Sequence, residues 1–160
     1  MRKERGFTLI ELMVVIAILG ILVVSAFPTY RTFRRRAVGA EATTIMKQLI
    51  NAEIMYYLAN NSYYPDQTVT GTNDAQGQIM LSHNDLPTDL DIQRVRDALK
   101  VTLPVRHFLD FQIIGIPDPD PTKTTSIGVN ILIDANFPIF KDGTKGVHAT
   151  IDSQGNIVYF

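Results

Sequence analysis

Glu11 is the first residue whose position calls for chemistry. It is the fifth residue of Phe7–Phe27, a run of 21 side chains that is otherwise almost wholly apolar. A carboxylate in hydrocarbon costs a few kcal/mol on insertion scales, and such groups usually find a partner. No basic residue lies one helical turn from Glu11 within the run. Cutting the Gly6–Phe7 peptide bond would create a partner, because it frees an α-amine four residues before the carboxylate. In a dry environment such a pair matters chiefly for register, since desolvation offsets much of its attraction.

Other candidates for chemistry are few. The three histidines are His83, His107 and His148, and none forms HExxH or another metal spacing. His83 reads as a loop residue, while His107 and His148 fall on predicted strands, which gives them structural or exposed roles. Asp118 and Asp120, in the segment PDPDP, could ligand calcium together with loop carbonyls. They lack the ordered EF-hand spacing, and a proline-stiffened surface turn explains them as well, so no metal ligand is assigned. There is no cysteine, hence no disulfide, thiolate nucleophile or Cys-ligated metal. No Gly-rich phosphate loop or nucleophile elbow occurs. The residues give no sign of an enzyme or of a required cofactor.

The elements that must position Glu11 start with the apolar run itself. A membrane helix needs about 20 residues to cross about 30 Å of hydrocarbon. The run is too long for an ordinary signal-peptide core, and SAFPTYRTF offers no convincing small-residue cleavage site. Arg2, Lys3 and Arg5 precede it; Arg31, Arg34, Arg35 and Arg36 follow it. With basic residues at both ends, the positive-inside rule alone does not fix topology. The arginines after the run fit a lipid headgroup interface, or acidic partners on neighbouring subunits. Net charge is -1 over 160 residues, and no basic domain points to nucleic acid.

Pro28 removes one backbone hydrogen bond and should bend or loosen the helix before it. An apolar stripe follows at Val38, Ala42, Ile45, Leu49, Ala52, Tyr56 and Ala59, widened by Met46 and Ile50. Its spacing alternates four and three, which is helical. Lys47, Gln48, Asn51 and Glu53 should lie at or beside its margins. The helix should end in ANNSYYPD. Run together from Phe7 to Ala59 it would be roughly 80 Å long, so its first half should project from the domain. Tyr30, Phe33, Tyr56, Tyr57, Tyr63 and Tyr64 read as core and interface packing.

Residues 61–85 read as a loop-rich connection. Thr88–Lys100 predicts a short helix with Thr88 and Asp91 as its cap and Ile92, Val95 and Leu99 on one face. VRHFLDFQIIGI, SIGVNILIDA, VHATID and NIVYF then predict about four antiparallel strands, the last two joined by a hairpin at Ser153-Gln154-Gly155. The fold class is α+β: a long N-terminal helix, transmembrane in its first half and amphipathic in its second, packed on a C-terminal antiparallel sheet.

Gly6-Phe7-Thr8-Leu9-Ile10-Glu11, followed by LMVVIAILGIL, resembles the class III signal of type IV pilins and type II secretion pseudopilins. The likeness covers about residues 2–30. It implies a ladle-shaped subunit with a leader at 1–6, a transmembrane and filament-core helix at 7–28, and a globular head at 29–160 that includes the amphipathic helix to about residue 60. It implies cleavage by a prepilin peptidase between Gly6 and Phe7, N-methylation of Phe7, and Glu11 as the assembly carboxylate. Gly20 and Pro28 match positions that flank the stretch which loosens on entering a filament. The implied partners are further copies of the chain in a homopolymer, the peptidase, an inner-membrane assembly platform, minor pilins, and membrane lipid before assembly. The implied location is the inner membrane as precursor, then a periplasmic or extracellular filament serving adhesion, motility, DNA uptake or a similar role.

Many type IVa major pilins close a C-terminal loop with two cysteines, and this chain has none. That departure leaves a type II secretion pseudopilin, a minor pilin and a cysteine-free major pilin open together, with the pseudopilin the alternative to a pilus subunit. Glu11 argues against the tip pseudopilin that lacks this carboxylate. From another class, a membrane-tethered periplasmic binding module would also need a span, but it gains nothing from Gly6-Phe7 with Glu11. Major pseudopilins carry a calcium site in a C-terminal loop, and no residue here is matched to it.

Overall fold

A computed structural model describes residues 7–72, 75–104 and 108–160. The chain divides into two compact units, with the division between Ala37 and Val38. One helix, α1, runs Leu9–Asn60 and so contributes to both. In the first unit every described residue is exposed, Ile10, Ile16, Ile21 and Val24 among them. Helices apolar all round are stable only when something apolar covers them. By length and composition this one can cross a membrane. Helical structure is unbroken through Gly20 and Pro28. The Ser25 hydroxyl donates to the Leu22 carbonyl at 2.9 Å and the Thr32 hydroxyl to the Pro28 carbonyl at 3.1 Å.

The second unit is an α+β domain, as expected. Its sheet has five strands rather than about four: β1 (Gln78–Leu81), β2 (Leu109–Pro117), β3 (Ser126–Ala135), β4 (Gly146–Ile151) and β5 (Ile157–Tyr159). They lie in chain order, each antiparallel to the next. The expected loop at 61–85 thus contains β1. Four residues beside Gly77, which has φ of +63°, are too short a run for period-two alternation to declare itself.

Alternation along β2 and β3 sends one face inward. Register aligns Ile79, Ile113, Ile131 and Ala149 across four strands, and Leu81, Phe111 and Ile133 beside them. These side chains form one core with Val38, Ala42, Ile45, Met46, Leu49 and Ile50 of α1. The helical stripe is therefore borne out fully to Ile50, and beyond it Ala52 and Tyr56 still pack against the core from partly buried positions. Ala52 and Tyr56 are half-buried and Ala59 is exposed. Glu53, expected at a margin, is fully buried.

A second helix, α2 (Leu90–Leu99), buries Ile92, Val95 and Leu99 as expected. Its expected cap does not form: Asp89 is the N-cap residue, with no side-chain capping bond. Asp91 is instead buried and accepts hydrogen bonds from the Thr72 amide and hydroxyl and from Arg94 Nη1, each at 2.8 Å. It ties the 70–72 segment to α2. The β4–β5 hairpin is as expected. Asp152 accepts from the Gln154 amide at 2.8 Å and the Asn156 amide at 2.9 Å, while Gly155 takes φ of +81°. The Asn156 side chain and amide hold the Asp152 carboxyl below its ordinary range.

The head has a continuous core of its own, so a chain lacking residues 1–28 should be a water-soluble monomer that unfolds cooperatively. Circular dichroism and a denaturant titration check this. Insolubility of every such truncation, without helical signal, would mean that the stripe from Val38 does not cover the sheet.

Candidate functional site

The residues with unusual chemistry lie at the start of α1. Thr8 precedes the first helical residue, and Glu11 stands three positions later. The Thr8 amide donates to Glu11 Oε2 at 3.0 Å, and the Thr8 hydroxyl donates to the same oxygen at 3.0 Å. In return the Glu11 amide donates to Thr8 Oγ1 at 3.3 Å. This is a capping box: each residue satisfies a donor that the first helical turn leaves open. The carboxylate also faces the positive end of the helix macrodipole.

Glu11 is therefore not bare at this end of the chain. Its partner is Thr8, an uncharged residue where a cation was expected. The signal was present as Thr-x-x-Glu immediately before an apolar run. Gly6, on the other side of the expected cut, lies outside the described residues. Phe7 is 84% exposed. A free amine at Phe7 would sit one residue from the amide that already binds Glu11.

The remaining candidates do not join this site. His83 Nδ1 lies 2.8 Å from Asp110 Oδ1, and His148 Nε2 lies 3.0 Å from Asp134 Oδ1. Asp110 and Asp134 are register partners on β2 and β3, so the two His–Asp pairs hold neighbouring strands and a loop together. His107 lies outside the described residues. Asp118 accepts from the Asp120 amide at 2.9 Å and pairs with Lys123 at 3.2 Å, while Asp120 accepts from the Thr122 amide at 3.0 Å. Both carboxylates are engaged in the turn itself. Among the described residues no three His, Asp or Glu side chains gather as a metal site would require.

The tyrosines pack as expected at the end of α1. Tyr57 stacks on Tyr63 with centroids 4.6 Å apart, and Tyr56 meets Tyr64 edge-on at 5.5 Å. Beneath them Glu53 Oε2 accepts the Tyr64 amide at 2.9 Å. Among the described residues Glu53 Oε1 has no hydrogen-bond partner. Burial pushes its carboxyl up to about 8, against the smaller opposing effect of the Tyr64 amide. Sequence reasoning placed Glu53 at the margin by its charge, although its position four residues after Leu49 and three after Ile50 puts it on the buried face.

Residues 1–27 match the family described as the prokaryotic N-terminal methylation motif. A 68-residue match at 43% identity covers 42% of this chain and 41% of the type IV major pilin protein PilE of Neisseria gonorrhoeae. Another at 43% identity covers 38% of this chain and 28% of the type IV major pilin protein PilA of Myxococcus xanthus. A third, at 40% identity, covers 42% of this chain and 51% of the type IV wide pilus major component PilA4 of Thermus thermophilus. The chain thus spans about half the length of these curated relatives, or less. They are named as pilus components, and none of the three as a secretion pseudopilin.

Proposed function

We propose that this chain, which carries the prokaryotic N-terminal methylation motif, is a prepilin that polymerises into a type IV pilus. It is cut between Gly6 and Phe7, methylated at the new amine, and built into a filament through its apolar helix. The observation that carries the reading is an apolar helix uncovered on every side that opens on a capped carboxylate. Before assembly, lipid covers that helix; afterwards, the same helices of other copies do. Relatives named as major pilus components favour a pilus over a secretion pseudopilus.

In this reading Glu11 meets an amine at Phe7, its own or a neighbour's, and sets the stagger between subunits. Gly20 and Pro28 flank the stretch that loosens as subunits pack. The chain's partners are its own copies, the prepilin peptidase, minor pilins and an inner-membrane assembly platform. It performs no catalysis.

A bulky residue at the cut tests the first step. Gly6→Leu should leave uncut precursor in the membrane and reduce filaments in the sheared fraction more than tenfold, an effect of about 1.4 kcal/mol or more at that step. Cells making Gly6→Leu protein with wild-type amounts of sheared filament would overturn the processing requirement.

A further inference from the structure

Four arginines fall within six positions just after the apolar run: Arg31, Arg34, Arg35 and Arg36. All are exposed, as are Tyr30 and Phe33 among them. The sequence holds no carboxylate between Glu11 and Glu41, so the local field is strongly positive. Arg31 lies over the Phe27 ring, its guanidinium carbon 4.4 Å from the centroid, which joins the last apolar turn to the first charged one.

Two geometric facts point to one occupant. The first is angular. At about 100° per residue, Arg31, Arg34 and Arg35 share a sector of roughly 100°, and Arg36 lies on the opposite side. Tyr30 and Phe33 fill much of what remains. The groups form a collar around the helix rather than a stripe along it. A single protein partner covers one face, whereas a lipid leaflet surrounds a helix. The second is depth. Phe7–Phe27 spans about 30 Å, the thickness of the hydrocarbon. Arg31 stands about 6 Å beyond Phe27 and Arg36 about 13.5 Å beyond it, so the collar begins in the headgroup layer and its long side chains can reach back to phosphates there.

We propose that this collar binds the phosphates of anionic phospholipid in the leaflet at the C-terminal end of the span. The proposal rests on the reading that residues 7–27 cross a membrane. Tyr30 and Phe33 sit at the level of the aromatic belt, and the guanidinium forks bind phosphate oxygens above it. The collar fixes the depth of the stored subunit and selects anionic lipid around it. Extraction into a filament must then break these contacts, so anionic lipid holds back release.

The test reconstitutes the full chain in phosphatidylcholine vesicles containing spin-labelled phosphatidylglycerol or spin-labelled phosphatidylcholine. Electron paramagnetic resonance reads the fraction of each label immobilised at the protein boundary. Wild type should favour phosphatidylglycerol by about fivefold at low salt, with loss of the preference at high salt. The fourfold change R31Q/R34Q/R35Q/R36Q should bring the ratio to near one, and the corresponding lysine replacements should keep most of it. Equal association of both lipids with wild type, or a preference that survives the glutamine changes, would overturn the proposal. If wild type shows no lipid preference and the glutamine variant loses only filament yield, the collar serves neighbouring subunits instead. If neither lipid is immobilised at all, the membrane span itself is wrong and the collar falls with it.

Discussion

Glu11→Leu is expected to leave processed subunit in the membrane while sheared filament yield falls more than tenfold. Removing the carboxylate takes a costly group out of hydrocarbon, so insertion should be unharmed or improved by as much as a few kcal/mol. Assembly loses more. Each Phe7 amine would have to enter a dry filament core without its partner, and breaking one side of a buried pair costs about 3–5 kcal/mol. The capping box adds a confounding effect, because leucine also gives up the bonds to Thr8, worth about 1 kcal/mol at a helix start. Glu11→Gln separates the two. Glutamine serves at the third position of a capping box as glutamate does, yet it carries no charge. Glu11→Gln should therefore keep the helix start and still assemble less well than wild type. Both variants should enter filaments more readily beside wild-type subunits than alone. Wild-type filament yield from Glu11→Gln would reduce Glu11 to a helix cap.

The second large effect is in the head. Glu53 is fully buried, and its carboxyl is raised from an ordinary 4.5 to about 8. The folded state thus holds a proton that the unfolded state releases at lower pH. Its stabilising contribution is complete below about pH 4.5 and is lost as pH rises through 8. At about 1.4 kcal/mol per pH unit, the loss across that window is on the order of 3–5 kcal/mol. Glu53→Gln keeps an acceptor for the Tyr64 amide and cannot ionise. It should match wild type within about 1 kcal/mol near pH 5 and exceed it clearly at pH 8.5. Glu53→Leu should be less stable than Glu53→Gln throughout, because the Tyr64 amide is left buried and unpaired. The carboxyls of Asp120, Asp142 and Asp152 are held low by hydrogen bonds from Thr122, Thr144 and Asn156. Their contributions are lost only as pH falls below the ordinary carboxylate range, outside this window. Denaturant midpoints from pH 5 to 9 on chains lacking residues 1–28 check the difference. Parallel wild-type and Glu53→Gln curves would mean that Glu53 is ionised in the folded head.

What was legible in the sequence follows from how much of each signal is local. The stripe from Val38 to Ile50 repeats a helical spacing over several turns, and β3 reads over ten consecutive residues, so both stand out unaided. β1 does not, because its four residues become a strand only by pairing with Phe111–Ile114 far along the chain. Asp91 looks like a cap because its spacing from Thr88 is right. The fold gives it Thr72 and Arg94 instead, a choice that only tertiary contact can make. At the candidate site Glu11 stands out by type, since one charge among apolar residues is hard to miss. Thr8 does not, because a carboxylate in an apolar run suggests a cation, whereas here a hydroxyl and its backbone amide already answer it. Glu53 is hidden for the opposite reason: its spacing from Leu49 and Ile50 puts it on the buried face, but a charged residue reads as a margin residue until the Tyr64 amide is seen to answer it.

If the proposed function holds, the filament is made of a cut and methylated form of this chain. Intact-mass measurement of subunits dissociated from sheared filaments tests it most directly. The expected subunit begins at Phe7 and carries one added methyl group, with side-chain charge moved from -1 to -3 by loss of Arg2, Lys3, Glu4 and Arg5. Sheared filaments without this chain, or subunits that retain Met1 to Gly6 in cells with an active prepilin peptidase, would refute it.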